Sequence, residues 1–127
     1  MDREKISELD LANKNINDNL VIINQTNNHD TYINKNVRMY NYCERGLSKS
    51  RNKAIKNAKS DICLIADDDV VYKEKTFEII KKSFKDNPEA DIITFQIETP
   101  EGKLFKNYSK SEFWHNKRTI LGVSSVS

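Results

Sequence analysis

Short apolar runs along the chain predict the strands of a sheet. They lie at residues 20–23, 37–42, 62–66 and 92–97. Runs of about four to eight apolar residues with β-branched members are typical of strands buried on both faces, and the more alternating run at 37–42 is typical of a strand with one wetter face. The run at 62–66 ends in three consecutive acids, and we expect it to lie at the centre of the sheet.

Helical spacing of apolar residues predicts the elements that connect these strands. Residues 1–11 are predicted to form a short amphipathic helix, and a second helix is predicted to follow the turn at Gly46 with Ser48 as its N-cap. A third helix is predicted over residues 73–87. It ends before Pro88, because a proline ring obstructs the helix and lacks a backbone N–H.

The order of these elements predicts the fold class. Strands that alternate with helices are typical of an α/β fold, here a mostly parallel sheet flanked by helices in a single domain over residues 1–127. A turn at 99–102 would fold residues 104–108 back as a hairpin, and residues 111–122 would form a further helix. No strand precedes the first helix, and residues 123–127 resemble the start of a strand. We therefore expect an incomplete domain.

Composition and charge exclude several classes of protein. The net charge is +2 with both signs interspersed, and no basic stripe with interleaved aromatic residues indicates a nucleic-acid partner. The two cysteines, Cys43 and Cys63, lack the spacing of a zinc site, and we expect Cys63 to be buried in its strand. The sequence has no signal-peptide core and no long apolar run. These features favour a cytoplasmic protein without a transmembrane segment, and they leave open a peripheral place at the inner face of the membrane.

The three acids Asp67, Asp68 and Asp69 are the strongest chemical signal in the chain. Carboxylates at the carboxyl end of a buried parallel strand lie where open α/β sheets bind ligands. Three adjacent carboxylates repel one another, and a divalent cation with a preference for oxygen ligands, Mg²⁺ or Mn²⁺, would hold them together. The alternative is a solvated acidic turn in which Asp68 or Asp69 caps the next helix.

Three segments together resemble the family 2 glycosyltransferases of the GT-A fold. They are Ile-Ile-Asn-Gln at residues 22–25, Gly-Leu-Ser-Lys-Ser-Arg-Asn at 46–52 and Ala-Asp-Asp-Asp at 66–69. In that family a strand with an acidic end is followed by a Gly-Leu-Ser-x-Ala-Arg-Asn helix start and then by an Asp-x-Asp turn. The order and spacing are similar here over roughly residues 20–97. The resemblance implies a nucleotide-sugar transferase that acts on a glycan, lipid or protein acceptor, in a pathway such as bacterial cell-envelope polysaccharide synthesis.

The resemblance also implies roles for the acids and for the helix start. Asp69 and Asp67 would be the metal ligands for Mn²⁺ or Mg²⁺, and Asp67 would also touch the ribose or a metal-bound water, with Asp68 between them. Arg51 would lie near the nucleotide, and Asn52 could bond the ribose. Both have plainer alternatives, because Arg51 could cover a helix surface and Asn52 could be a local cap.

The sequence departs from the family at three places. Asn24 and Gln25 stand where the family has acids, and an amide can pair with a uracil edge because it carries both a donor and an acceptor. These two residues are therefore candidate nucleotide contacts, and a UDP-linked donor is favoured. The first strand and the segment that binds the acceptor and supplies the catalytic base are not recognised, so the base is expected beyond Ser127 and remains unknown.

Two other functions compete with the transferase. The chain could be a non-catalytic domain that forms a homodimer or larger oligomer through unpaired sheet edges. It could also be another metal-dependent nucleotidyl or phosphoryl enzyme that uses the same acids, although no triphosphate-binding pattern lies between Gly46 and Asp69.

Overall fold

The computed structural model describes residues 16, 18–67 and 69–123. The helix predicted at 1–11, Asp68 and most of the strand predicted at 123–127 lie outside the described residues. The chain divides into two compact units, the first ending at Phe77 and the second beginning at Glu78. The single domain expected over residues 1–127 stays a prediction.

The first unit contains a three-stranded sheet. Its strands are β1 (Leu20–Gln25), β2 (Thr31–Asn34) and β3 (Val37–Tyr42), in the spatial order β1-β3-β2. β1 and β3 pair in parallel, and β2 pairs antiparallel with β3. The described sheet is therefore mixed. The strands predicted at 20–23 and 37–42 are confirmed, whereas β2 carries no long apolar run and was not predicted.

The core of this sheet is small and lies on one face of β1 and β3. Ile22 faces Met39 in the parallel register, and both side chains are buried. Leu20 and Val37 pack against them. Because successive side chains of a strand point to opposite faces, the same face continues to the next inward pair, Asn24 and Asn41. The buried face of the sheet therefore changes from apolar to polar towards the carboxyl ends of both strands.

Two helices follow, as the apolar spacing predicts. The first, α1, spans Leu47–Asn57, and the second, α2, spans Thr76–Asp86. The N-cap of α1 is Gly46 and no side chain caps it, so the assignment of Ser48 as N-cap is wrong by two residues. In α2 the buried side chain is Ile80, on the predicted apolar face, and the helix ends ahead of Pro88. Strands and helices together confirm the α/β class.

The apolar run at 62–66 does not form a strand. Its backbone is irregular, and Ile62, Leu64 and Ile65 are 37%, 41% and 50% exposed. Cys63 is exposed as well, so its predicted burial is wrong. An apolar run is buried only when neighbouring strands cover it, and the described sheet places no strand beside this one.

The second unit contains less regular structure than its sequence predicts. Residues 92–97 form no strand, although their side chains alternate between exposed and partly buried. The hairpin after them is reduced to one bridge, between Glu98 and Leu104, closed by a turn in which the Gly102 N–H donates to the Thr99 carbonyl at 2.9 Å. The helix predicted at 111–122 is limited to a 3-10 turn at Ile120–Gly122.

Candidate functional site

The carboxyl ends of β1 and β3 lie at one edge of the sheet because the two strands are parallel. Gln25, the last residue of β1, is in register with Tyr42, the last residue of β3. The chain leaves β3 through Cys43–Arg45 and enters α1 at Leu47. Ligands of α/β proteins bind beyond this edge, so the residues that follow the two strands form the candidate site.

The centre of the candidate site is an ion pair between α1 and the acidic segment. The guanidinium of Arg51 donates from Nη2 to Oδ1 of Asp67 at 3.3 Å. The two side chains are 27% and 19% exposed, so the pair is partly removed from water. Arg51 and Asp67, which the sequence analysis nominated separately, therefore lie in contact.

The second carboxylate oxygen of Asp67 does not share this contact with Arg51. Oδ2 is buried and makes no hydrogen bond with the described residues. A buried polar atom without a partner is uncommon in folded proteins, and a bound water or ion is one explanation for it. Burial raises the pKa of the nearby Tyr72 hydroxyl, and the negative charge of Asp67 raises it further. Tyr72 and Phe77 pack with ring centroids 5.1 Å apart beside the acidic segment.

The residues present fit a divalent cation in one respect. The unpartnered Oδ2 of Asp67 is a hard oxygen donor of the kind that Mg²⁺ and Mn²⁺ prefer. Asp69 is exposed two residues later, and Asp68 lies outside the described residues. Among the residues that the structure describes, no group of three or more acidic, histidine or cysteine side chains is gathered as a metal cluster. The metal roles of Asp67 and Asp69 stay predictions.

Gln25 binds the backbone at the start of α1. Its Nε2 donates to the Gly46 carbonyl at 2.9 Å, and the Gly46 N–H donates back to its Oε1 at 3.2 Å. The amide is thus engaged through both of its polar atoms. Gly46 has φ of +134°, a conformation that side-chain-bearing residues rarely adopt. A contact between Gln25 and a nucleotide stays a prediction, and it would compete with these two bonds.

Asn24 lies beneath the edge of the sheet and not on its surface. Its side chain is fully buried and its Nδ2 donates to Oδ1 of Asn41 at 2.8 Å. Asn41 in turn donates through Nδ2 to the carboxylate of Asp30 in the loop after β1. This chain of side chains ties the two strands to the loop. With no exposed surface, Asn24 has none to offer a nucleotide in this conformation, and its predicted contact is untested.

Asn52 occupies the exposed side of α1 directly after Arg51. Its side chain makes no hydrogen bond with the part of the chain that the structure describes. It does not cap α1, since the cap is Gly46. An exposed amide without a structural partner is available to a ligand.

A charged cluster supports the loop between β3 and α1. Glu44 accepts hydrogen bonds from Lys49 and Lys53, at 2.7 and 2.8 Å. These two hydrogen bonds, with the positive charges behind them, lower the pKa of Glu44 from 4.5 to about 2. The ammonium of Lys53 also lies 3.8 Å from the centre of the Tyr42 ring. This cluster was not predicted, because an acid followed by lysines five and nine residues later is only a weak signal for it.

Comparison with known proteins identifies the family to which the chain belongs. The model of glycosyl transferase family 2 matches residues 13–124 of the chain. The chain belongs to glycosyl transferase family 2. No curated protein and no solved structure matches it. The match includes both units of the structure, and it confirms the resemblance drawn from the three sequence segments.

Membership of family 2 gives the fold and the general activity. The family has the GT-A fold, which confirms the predicted fold class. Its members are glycosyltransferases that use a nucleotide-sugar donor and an acceptor, so this family 2 domain is a transferase domain by descent. No helix within the described ranges is long and apolar enough to cross a membrane.

Proposed function

We propose that this family 2 domain binds a UDP-linked sugar beside Asp67 and transfers the sugar to a glycan, lipid or protein acceptor with the help of Mn²⁺ or Mg²⁺. The observation that supports this most directly is the state of Asp67. One of its carboxylate oxygens pairs with Arg51, and the other is buried and receives no hydrogen bond from the residues that the structure describes.

The unpartnered oxygen suits a metal that must also bind phosphate. In this proposal Asp67 holds the cation through Oδ2, and Asp69, exposed two residues later, completes the protein's share of the ligands. When bound, the cation would neutralise charge on the departing nucleoside diphosphate. Arg51 keeps the Asp67 carboxylate oriented and ionised, because a guanidinium is always charged and holds a carboxylate in a fixed geometry.

Arg51 contributes a guanidinium to the donor site, and Asn52 contributes an exposed amide. The exposed amide of Asn52 can accept from or donate to a ribose hydroxyl. Asp68 stands between the two proposed metal ligands and is assigned to the donor site on sequence alone. The preference for UDP, the acceptor and a cytoplasmic setting stay predictions, and we assign no catalytic base.

Calorimetric titration of UDP into the chain, with and without Mn²⁺, tests the proposal. We expect binding that depends on the metal and that weakens at least about tenfold in Asp67→Asn and Asp69→Asn, because each substitution removes a charged ligand. Asp91→Asn is the matched control, since Asp91 is an exposed acid in the second unit. Equal affinity in Asp69→Asn and the parent would remove Asp69 from the site. No binding by the parent, or tighter binding of UTP than of a UDP-sugar, would overturn the proposal.

One observation favours the non-catalytic alternative. β2 is an edge strand, and its Tyr32 and Ile33 are 51% and 66% exposed. Exposed edges of this kind can pair with another chain. A dimer in size-exclusion chromatography with light scattering, lost in Ile33→Lys and accompanied by no nucleotide binding, would support that function in place of the transferase.

A further inference from the structure

We infer that Gln25 is a positioning residue of the donor site, which acts through the backbone of Gly46 and not by touching the nucleotide. The inference rests on the proposed function, since the site that Gln25 positions is the one around Arg51 and Asp67. It reassigns a residue that the family resemblance would make a nucleotide contact.

The Gln25 amide makes two hydrogen bonds to one residue, Gly46. Nε2 donates to the Gly46 carbonyl, and Oε1 accepts from the Gly46 N–H. The two bonds form a closed pair like that between two strands, so they fix both the position and the orientation of the Gly46 peptide groups. A single bond would leave the peptide free to rotate about it.

The same carbonyl also starts α1. The Gly46 oxygen accepts from the Ser50 N–H at 3.0 Å, which is the first hydrogen bond of the helix. No side chain caps α1, and Gln25 instead accepts from the N–H of the N-cap residue Gly46, as the glutamate or glutamine of a capping box does locally. The last residue of β1 thereby sets the place where α1 begins.

The direction of α1 decides where Arg51 points. Arg51 follows Ser50 directly, and its guanidinium reaches Asp67 across 16 residues of chain at 3.3 Å. A small rotation of the first turn would move the end of so long a side chain by more than a hydrogen-bond length. Gln25 therefore orients the partner of the carboxylate that we assign to the donor site.

Gly46 makes this arrangement possible. Its φ of +134° is strained for any residue with a Cβ, although an added Cβ would meet nothing closer than the Lys49 side chain at 3.6 Å. Gly46→Ala is therefore expected to rotate this peptide without a steric clash. It provides a second way to break the same contact from the other side.

The experiment combines Gln25→Met, Gly46→Ala and the double variant. Methionine keeps the approximate length of glutamine and removes both hydrogen bonds. The first readout is nuclear magnetic resonance of the chain without nucleotide, at the Gly46 amide and the Arg51 side-chain Nε–H. The second is the affinity for UDP with Mn²⁺. Gln96→Met is the matched control, because the Gln96 amide donates to the Ser109 carbonyl in the second unit.

We expect Gln25→Met to shift both resonances and to weaken nucleotide binding roughly three- to tenfold, the usual effect of lost hydrogen bonds. Gly46→Ala should do the same. The double variant should be little worse than either single variant, because both substitutions break one contact. Gln96→Met should leave the resonances and the affinity unchanged.

Two outcomes would overturn the inference. If Gln25→Met weakened binding while the Arg51 resonance stayed in place, Gln25 would contact the nucleotide itself. If the effects of the two single substitutions simply added, Gln25 would not act through Gly46. The resonances are measured without nucleotide, so they test the positioning role even if the parent chain fails to bind UDP, which would count against the proposed function alone.

Discussion

At the scale of single residues, Asp67 is the buried acid whose hydrogen-bonding capacity is only partly satisfied by the described residues. Its Oδ1 is paired with Arg51, whereas its Oδ2 is buried and has no donor within the described ranges of the chain. A charge held in this way is stabilised mainly by its one partner. Removing the partner should therefore cost more free energy of unfolding than removing the charge.

We expect Arg51→Met to lower the free energy of unfolding by about 1–2 kcal/mol, because the Asp67 carboxylate would then be desolvated and unpaired. Asp67→Asn should cost less, since a neutral amide is easier to bury and still accepts a bond from Arg51. Urea unfolding of both variants measures which of them loses more unfolding free energy. A greater loss in Asp67→Asn would contradict this, because it would mean that the Asp67 charge is stabilised by more than its contact with Arg51.

Glu44 gives a prediction on pH at the same scale. Its pKa in the folded chain is about 2, against an ordinary value of 4.5, because Lys49 and Lys53 donate hydrogen bonds to it. A lowered pKa means that the contribution to stability is fully present above the ordinary value and is lost as the pH falls towards 2. The ¹³C titration of the Glu44 carboxyl should show this value. In Lys49→Gln/Lys53→Gln the pKa should return towards 4.5, and an unchanged pKa would show that the lysines are not its cause.

At the scale of elements, the pair of parallel strands carries the packing of the first unit. Ile22 in β1 and Met39 in β3 are its buried apolar residues among those described, whereas Ile33 in β2 is 66% exposed. The two isoleucines therefore offer the same substitution in opposite surroundings. A difference between the unfolding free energies lost on substituting them therefore reflects burial and not side-chain chemistry.

We expect Ile22→Ala to cost about 2–4 kcal/mol of unfolding free energy, since it leaves a cavity beside Met39. Ile33→Ala should cost less than about 1 kcal/mol, because its side chain already faces water. Urea unfolding followed by circular dichroism provides both numbers. Similar losses in the two variants would indicate that β2 is covered in solution, as the edge-pairing alternative requires.

The elements that sequence could predict are those whose signal is local. The apolar runs in β1 and β3 and the helical spacing in α1 and α2 each lie within about ten residues, and all four elements are present. The run at 62–66 carries an equally strong signal but is not a strand, because its burial depends on neighbours far along the chain. β2 was missed for the converse reason, since an exposed strand that is held by pairing to β3 has no apolar pattern.

The candidate site divides in the same way. Arg51 and Asp67 could be nominated from motifs, and their contact joins two segments that both lie within the family match. The bonds of Gln25 could not be foreseen, because an amide pairs equally well with a base edge or a backbone, and only the position of Gly46 decides between them. Asn24 was nominated because it stands where the family has an acid and because an amide can pair with a base, but its burial depends on the register of β1 with β3.

At the scale of the whole molecule, regular structure is unevenly distributed. The sheet and α1 lie in the first unit, whereas residues 109–119 of the second unit lie outside helices and strands with exposed side chains. Backbone amides in such segments open at little cost, while those in a packed sheet open only with the global unfolding. Because amide exchange differs between these segments, a change in exchange on adding a ligand can be assigned to the segment that binds it.

Hydrogen exchange followed by mass spectrometry should therefore find peptides over residues 37–42 protected the longest and those over 109–119 exchanging first. Addition of UDP and Mn²⁺ should slow exchange at residues 43–51 and 67–72, because a ligand that binds only the folded state stabilises the segments it touches. Asp67→Asn should abolish this added protection while leaving that of residues 37–42 intact. Added protection at 109–119 in place of these segments would put the donor site in the second unit, and it would remove Arg51 and Asp67 from the transfer reaction.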